Sequence, residues 1–445
     1  MRKSLVIVTV IMSVFLATKP AAAQNRVIVH DTLGISGINL SCLLAGCSVA
    51  ETLDGTEGQV FLVTQSSGLS LTSLLQKLLT LPGIVAVEAD QVLQVAQSQS
   101  PAAPAGLWDT TPVNYYGTTA WDGYVNQPAV QIVNLPSARS AFNVTGTGVV
   151  GVIDTGVDPT QPVLQGVLQQ GYDFTRNQAG GSELGDINQS TMAVINRGTP
   201  KAPASVNQST MAVVNQTAAT DFETPQYAAF GHGTMTAGVV HLVAPTAQIL
   251  PLKAFSANGT GYLSNVISAV YWGTQHGANV LSMSFDFTSY SSAMAQAINY
   301  ATGHGVVVVA SVGNNGQQMT VYPAGLSNVM GVASVSDADT LSTFSNYGAP
   351  PVWVAAPGEA IISTYPFATY AAGWGTSFST PFVAGTVALM RSGTLSLLQG
   401  LNTGLNQTLA AEAISHAQSG CGSNCGHGIL DVYQSVNSWE GLLGL

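Results

Sequence analysis

The 445-residue chain is long enough for one large domain and a smaller one, and only 7% of it is charged, against roughly 25% in ordinary soluble proteins. Its 47 glycines and many small polar residues suit a compact, loop-rich exported protein better than a cytosolic one. Acidic residues outnumber basic ones 22 to 11 with no Lys/Arg cluster, so the electrostatic footprint of a nucleic-acid partner is missing.

Arg2 and Lys3 precede the apolar run Leu5–Ala17, and Ala21-Ala22-Ala23 follow as a small-residue cleavage site. This predicts a secretory signal peptide over residues 1–23, with an uncleaved anchor as the alternative. No later stretch is apolar for long enough to cross a bilayer. Residues 24–95 read as a small α/β unit, with strand-type residues at Arg26–His30 and Gln59–Thr64. Leu71, Leu74, Leu75, Leu78 and Leu79 then recur at helical spacing, Pro82-Gly83 breaks that helix, and Ile84–Val87 and Val92–Val95 read as strands. In an exported chain the close pairs Cys42/Cys47 and Cys421/Cys425 favour disulfides, though loops so short restrict the unfolded chain little. Zinc held by Cys421, Cys425 and His427 would lack a fourth ligand. From Gln97 to Thr111 the composition is that of a linker, which sets a boundary over residues 96–114.

A larger α/β domain follows from about Tyr115. Val149–Ile153, Ile249–Phe255, Val280–Phe285 and Val306–Ala310 are short apolar runs rich in branched residues, as in strands buried on both faces. Between them Leu263, Val266, Ile267, Val270 and Tyr271 form a helical stripe closed by Gly277, and Ala293, Met294, Ala297, Ile298 and Ala301 form another closed by Gly303. Strands alternating with helices predict a doubly wound, mostly parallel sheet with helices on both faces. Residues 187–196 (INQSTMAVIN) and 206–215 (VNQSTMAVVN) are near copies, with 125–134 (VNQPAVQIVN) a fainter third. Copies so few do not make a solenoid. They read as a surface insertion at about 180–220, a β-hairpin in form, either a neutral duplication or a binding element.

Gly373-Trp374-Gly375-Thr376-Ser377 reads as a sharp loop entering a buried helix, with Ser377 at its start and Pro381 in its first turn, where a missing N–H costs little. A serine there has free backbone N–H groups beside it and the positive end of a helix dipole behind it, as acyl transfer requires. Asp154 ends an apolar strand, His232 lies among small residues before a helix, and Asn314 follows another strand. Singly these are a helix cap, a turn former, a core histidine and a left-handed turn residue. In open α/β sheets, however, functional groups collect just beyond the strands' carboxyl ends.

Taken in order, Asp154-Thr155-Gly156, Gly231-His232-Gly233-Thr234, Gly313-Asn314 and Gly375–Pro381 resemble the motifs of the subtilisin-like serine proteases, the subtilases. The resemblance runs from about Gly146 to Asp431 and takes in Tyr322-Pro323-Ala324, Ala356-Pro357-Gly358 and Gly426–Leu430. Residues 24–95 resemble the family's inhibitory propeptide, at Leu81-Pro82-Gly83-Ile84 through Asp90. The resemblance implies a subtilisin-like catalytic domain over 115–445, preceded by a ferredoxin-like propeptide.

It also implies a secreted, monomeric serine endopeptidase that acts on protein or peptide substrates and has its own propeptide as a partner. No membrane contact would remain after signal cleavage. Ser377 would be the nucleophile, His232 the general base and Asp154 its orienting carboxylate, with Asn314 in the oxyanion hole. Ser284, Phe285 and Asp286 would line the substrate cleft, where Ser284-Phe285-Asp286-Phe287 replaces the family's usual Ser-Leu-Gly-Gly. Phe382 stands where the family usually has histidine. The resemblance leaves room for calcium, but no calcium-site residues are identifiable, so no metal or cofactor is assigned. The alternative function is a catalytically inactive binding or surface protein on the same fold. A hydrolase of another α/β fold would need a Gly-x-Ser-x-Gly elbow, which Gly375–Ser379 lacks.

Overall fold

The structure is a computed structural model that describes residues 26–66, 68, 70–95, 104–187, 211–213, 225–348, 350–392 and 405–442. The expected signal peptide, linker residues 96–103 and most of the repeat insertion lie outside these.

The N-terminal unit runs β1 (Arg26–Asp31), α1 (Gly34–Ala45), β2 (Cys47–Thr52), β3 (Val60–Gln65), α2 (Leu71–Leu78), β4 (Ile84–Ala89) and β5 (Val92–Gln94). Strands β1 to β4 form an antiparallel sheet in the order β2-β3-β1-β4. Alternation along the strands divides their side chains between two cores. Val27, Val29, Phe61 and Val63 pack with Ile38, Leu74 and Leu78 of the two helices. Ile28, Val60 and Leu62 turn the other way and join a core built mainly by the large domain. Neither α1 nor β2 is expected from the sequence, because the leucines of α1, Leu40, Leu43 and Leu44, are all exposed while Ile38, Cys42 and Ala45 are buried, which leaves no clean helical stripe. Leu79, expected on the buried face of α2, caps that helix and is exposed. Cys42 lies beside Cys47 and Cys421 beside Cys425, with Cα atoms 4.5 and 5.9 Å apart.

The large domain is organised on an eight-stranded sheet. Its strands are β6 (Val149–Asp154), β7 (Tyr172–Asp173), β8 (Gln178–Ala179), β9 (Gln248–Lys253), β11 (Val280–Met283), β12 (Val307–Ser311), β13 (Met330–Val335) and β14 (Val352–Pro357), with the short β10 (Thr260–Tyr262) outside it. Their order is β8-β7-β9-β6-β11-β12-β13-β14, and every pairing except β7 with β8 is parallel. Helices α3 (His232–Val243) and α6 (Thr376–Met390) share one core with Val150, Val152, Val307 and Val309. Helices α4 (Leu263–Gln275) and α5 (Ser292–Gly303) share the other with Leu252, Leu281, Met283 and Val308. Adjacent strand residues thus serve opposite faces, which is why those runs read as continuously apolar.

Strand β6 lies between β9 and β11, so the chain leaves it toward both edges of the sheet. At such a switch point the carboxyl ends of neighbouring strands open a crevice. Two further strands, β15 (Ile361–Tyr365) and β16 (Thr369–Gly373), pair antiparallel and lead into α6. Within the insertion, Met211–Val213 pairs antiparallel with β16, so the described part of the second repeat copy extends that ribbon. The faint third copy instead lies in helices at Asp122–Val125 and Pro128–Ile132. Among the described residues no helix is long and apolar enough to cross a membrane.

Candidate active site

Asp154 is the last residue of β6 and His232 the first of α3, and the fold brings them together. His232 Nδ1 lies 2.7 Å from Asp154 Oδ1. That carboxylate also accepts the Thr155 N–H at 2.6 Å and the Thr236 hydroxyl at 3.1 Å, which fixes its plane. The Gly233 N–H donates to Thr155 Oγ1 at 2.9 Å. A Cβ on Gly233 would stand 2.1 Å from the Gly156 carbonyl oxygen, so only glycine lets the start of α3 close on this turn. Beneath the pair, Glu183 is fully buried and accepts from the Gly231 N–H and the Thr234 hydroxyl. Burial pushes its carboxyl well above the usual range, more than those hydrogen bonds lower it. Lys253, also fully buried, donates to the Thr155 and Phe255 carbonyls and to Asp186.

Helix α6 starts at Thr376 with Gly375 as its cap, at φ +146°. Pro381 lies one turn deeper than expected, inside the helix. Lacking an N–H, it cannot bond the Ser377 carbonyl four residues back. The Ser284 hydroxyl takes that place and donates to the Ser377 carbonyl at 2.8 Å. The Ser377 hydroxyl in turn donates to the Ser284 carbonyl at 3.1 Å, not to His232. Asn314 is brought to the same spot from the loop after β12. Its Oδ1 accepts both the N–H and the hydroxyl of Thr376, each at 2.9 Å. With the oxygen so engaged, the Nδ2 donor is left facing outward beside Gly375, where a Cβ would crowd it at 3.2 Å. The Asn314 loop is held from below by buried Asn346, which donates to the Val312 carbonyl and accepts from the Asn315 and Gln317 N–H groups.

A segment of the chain itself occupies the groove that ends at these groups. Strand β5 pairs antiparallel with β10 on one side, with Gln94 opposite Thr260 and Val92 opposite Tyr262. Gln94 also bridges Asp286 on the other side, again antiparallel. The Val95 N–H donates to the Gly259 carbonyl and Leu263 N–H to that of Gln91. Leu93 and Val95 are buried in the core that holds Phe255 and Phe285. Just upstream, two carboxylates cap helices of the large domain. Glu88 accepts the Ala293 N–H at the start of α5, and Asp90 the Ser264 N–H at the start of α4. Asp90 also accepts the Ser264 hydroxyl and the Arg26 guanidinium, each at 2.8 Å.

Asn314, Ser377 and Ser284 thus meet at the start of α6, and the His232 ring, paired with Asp154, lies 5.4 Å from the ring of Phe378, the residue after Ser377, while Phe285 is buried and Asp286 stands in the groove. The contacts made by Thr376, by the Ser377 carbonyl that Pro381 leaves free, and by the two helix-capping carboxylates have no signal in the sequence, because their partners are remote in the chain. A calcium ion takes six to eight oxygens, carboxylates among them. Among the described residues no three Asp, Glu, His or Cys side chains converge, so neither calcium nor zinc ligands are assigned.

The subtilase family model matches residues 146–428. The chain belongs to this family of subtilisin-like serine proteases. It is 34% identical over 289 residues to a thermophilic serine proteinase of Bacillus sp. strain AK1, an alignment that spans 64% of this chain and 61% of that protein. To thermitase of Thermoactinomyces vulgaris it is 33% identical over 316 residues, 69% of this chain and 94% of that one. The crystal structure of fervidolysin from Fervidobacterium pennivorans, described as a keratinolytic enzyme related to subtilisin, superposes with a TM-score of 0.67 at 21% identity. That superposition covers 93% of this subtilase and 61% of fervidolysin and shows a common fold.

Proposed function

We propose that this subtilase is a secreted serine endopeptidase made as a precursor, in which residues 24–95 form an inhibitory propeptide of ferredoxin-like topology, with its cysteine pairs oxidised. Ser377 attacks the scissile carbonyl after its hydroxyl rotates from the Ser284 carbonyl toward His232. His232 takes the proton and returns it to the leaving amine, while Asp154 holds the tautomer and stabilises the imidazolium. The Asn314 Nδ2 and the Ser377 backbone N–H receive the oxyanion. One such donor is worth about 3 kcal/mol of barrier.

The observation that carries this reading is the docked strand. A peptide backbone lies in the groove as an added strand, a common mode of peptide recognition. A substrate strand that keeps the register of the Gln94–Asp286 pairing would bring the residue two places on opposite Ser284, whose carbonyl accepts the Ser377 hydroxyl. A groove that reads main chain this way suits proteins or peptides rather than small esters. The test is to treat the purified protein with a fluorophosphonate and map the label. Modification of Ser377 together with lost peptide hydrolysis is expected. An unlabelled, inactive protein would indicate a binding protein on the subtilase fold.

A further inference from the structure

The groove holds a carboxylate that the reaction does not use. Asp286 lies on the strand segment that bridges Gln94 of the docked strand, so its side chain stands beside whatever backbone fills the groove. The strand register says what it faces. Residues directly opposite on antiparallel strands share a face, and side chains alternate along each strand. Gln94 is opposite Asp286, so the Asp286 side chain shares its face with Gln94, and in a substrate strand of the same register it would share it with the residue two places further on. In such a substrate strand, that residue would stand opposite Ser284 and present the carbonyl to be cut. Leu93 and Val95 point to the other face, into the core.

The carboxylate leans across the groove. A Cβ built on Gly313 would stand 3.1 Å from Asp286 Oδ2, next to the loop that carries Asn314. Asp286, Phe287, Thr288, Asn314 and Asn315 line a cavity of about 330 Å³ beside the docked strand. It is roomy enough for a long side chain. Among the described residues nothing donates a hydrogen bond to the carboxylate and no cation pairs with it. Burial alone pushes its pKa up to about 6, with no neighbouring charge to offset the lost solvation. Such a group gains most from a cation brought by the substrate.

We propose that Asp286 selects lysine or arginine as the substrate residue whose carbonyl is cut. This rests on the peptidase reading above. A cation on the scissile residue would enter the cavity between Asp286 and Asn315 and supply the missing partner. The chain's own residue at that register position is Ala96, and a tethered strand at roughly millimolar effective concentration does not need the cavity filled to be cut.

The experiment compares kcat/KM for peptides that differ only at that position, carrying arginine, lysine, citrulline, norleucine or alanine. The wild type is set beside Asp286→Asn and Asp286→Glu. Arginine and lysine should exceed citrulline and norleucine by about tenfold or more in the wild type. That ratio should fall to about one in Asp286→Asn and return in part in Asp286→Glu. A wild-type ratio near one, or a ratio unchanged by Asp286→Asn, overturns the proposal while leaving the peptidase reading intact. If the wild type cuts none of the peptides, it is the peptidase reading that falls, and this inference with it.

Discussion

The two sheets of the molecule bury their faces differently. In the large domain the central sheet is covered on both sides by that domain's own helices, α3 and α6 on one and α4 and α5 on the other. In the N-terminal unit, α1 and α2 cover one face only, and the other, with Ile28, Val60 and Leu62, shares its core with α4 and α5. Helix α1 also leaves Leu40, Leu43 and Leu44 exposed, Leu43 by 79%. A unit below about 70–80 residues has little core to spare, and this one spends half of its sheet on a neighbour. The large domain is built to stand alone, whereas the N-terminal unit is built to be docked. What binds the two is also separate from what is proposed to do the chemistry. Glu88, Asp90, Leu93 and Val95 hold the unit in place, and Asp154, His232, Asn314 and Ser377 take no part in those contacts.

This separation can be broken by experiment. The largest expected effect is on the chemical side. Asn314→Ala removes an oxyanion donor and should lower kcat by about a hundredfold to a thousandfold with little change in KM, since the donor acts in the transition state. Affinity for an added propeptide should not change. If KM or propeptide affinity moved as much as kcat, binding and chemistry would not be separable at this residue.

A smaller effect is expected on the docking side. Glu88→Ala with Asp90→Ala uncaps the first turns of α5 and α4, at about 1 kcal/mol for each cap. Inhibition of the mature enzyme by the added propeptide should weaken about thirtyfold, with kcat untouched. Equal inhibition by the doubly substituted propeptide would mean that apolar packing by Ile28, Leu62 and Leu93 alone holds the unit.

How much of this is legible in the sequence follows from how local each signal is. The four strand runs and two helical stripes read in the large domain lie within a few residues of β6, β9, β11, β12, α4 and α5, because burial on both faces makes those strands continuously apolar, whereas β7, β8, β13 and β14 go unread. The motifs around Asp154, His232, Asn314 and Ser377 are legible because each needs small neighbours within two or three residues, as Gly233 and Gly375 do. What is not legible depends on partners far along the chain. The Thr376 contacts that fix Asn314 join residues 62 apart, and the Glu88 and Asp90 caps join residues 205 and 174 apart. Pro381 reads as a first-turn residue and lies inside the helix, because the Ser284 hydroxyl replaces the bond it cannot make. Helix α1 goes unread because its apolar residues face both core and solvent.

The account's central claim is that the N-terminal unit is an inhibitor placed in the groove of the enzyme that removes it. The most direct measurement is the intact mass of the purified wild type beside that of Ser377→Ala, expressed and handled in parallel. The account predicts that the wild type begins just after about residue 96, having lost the preceding unit, while Ser377→Ala keeps residues 24–95 attached. Loss of the unit to the same extent in both proteins would contradict it, since another protease would then be making the cut.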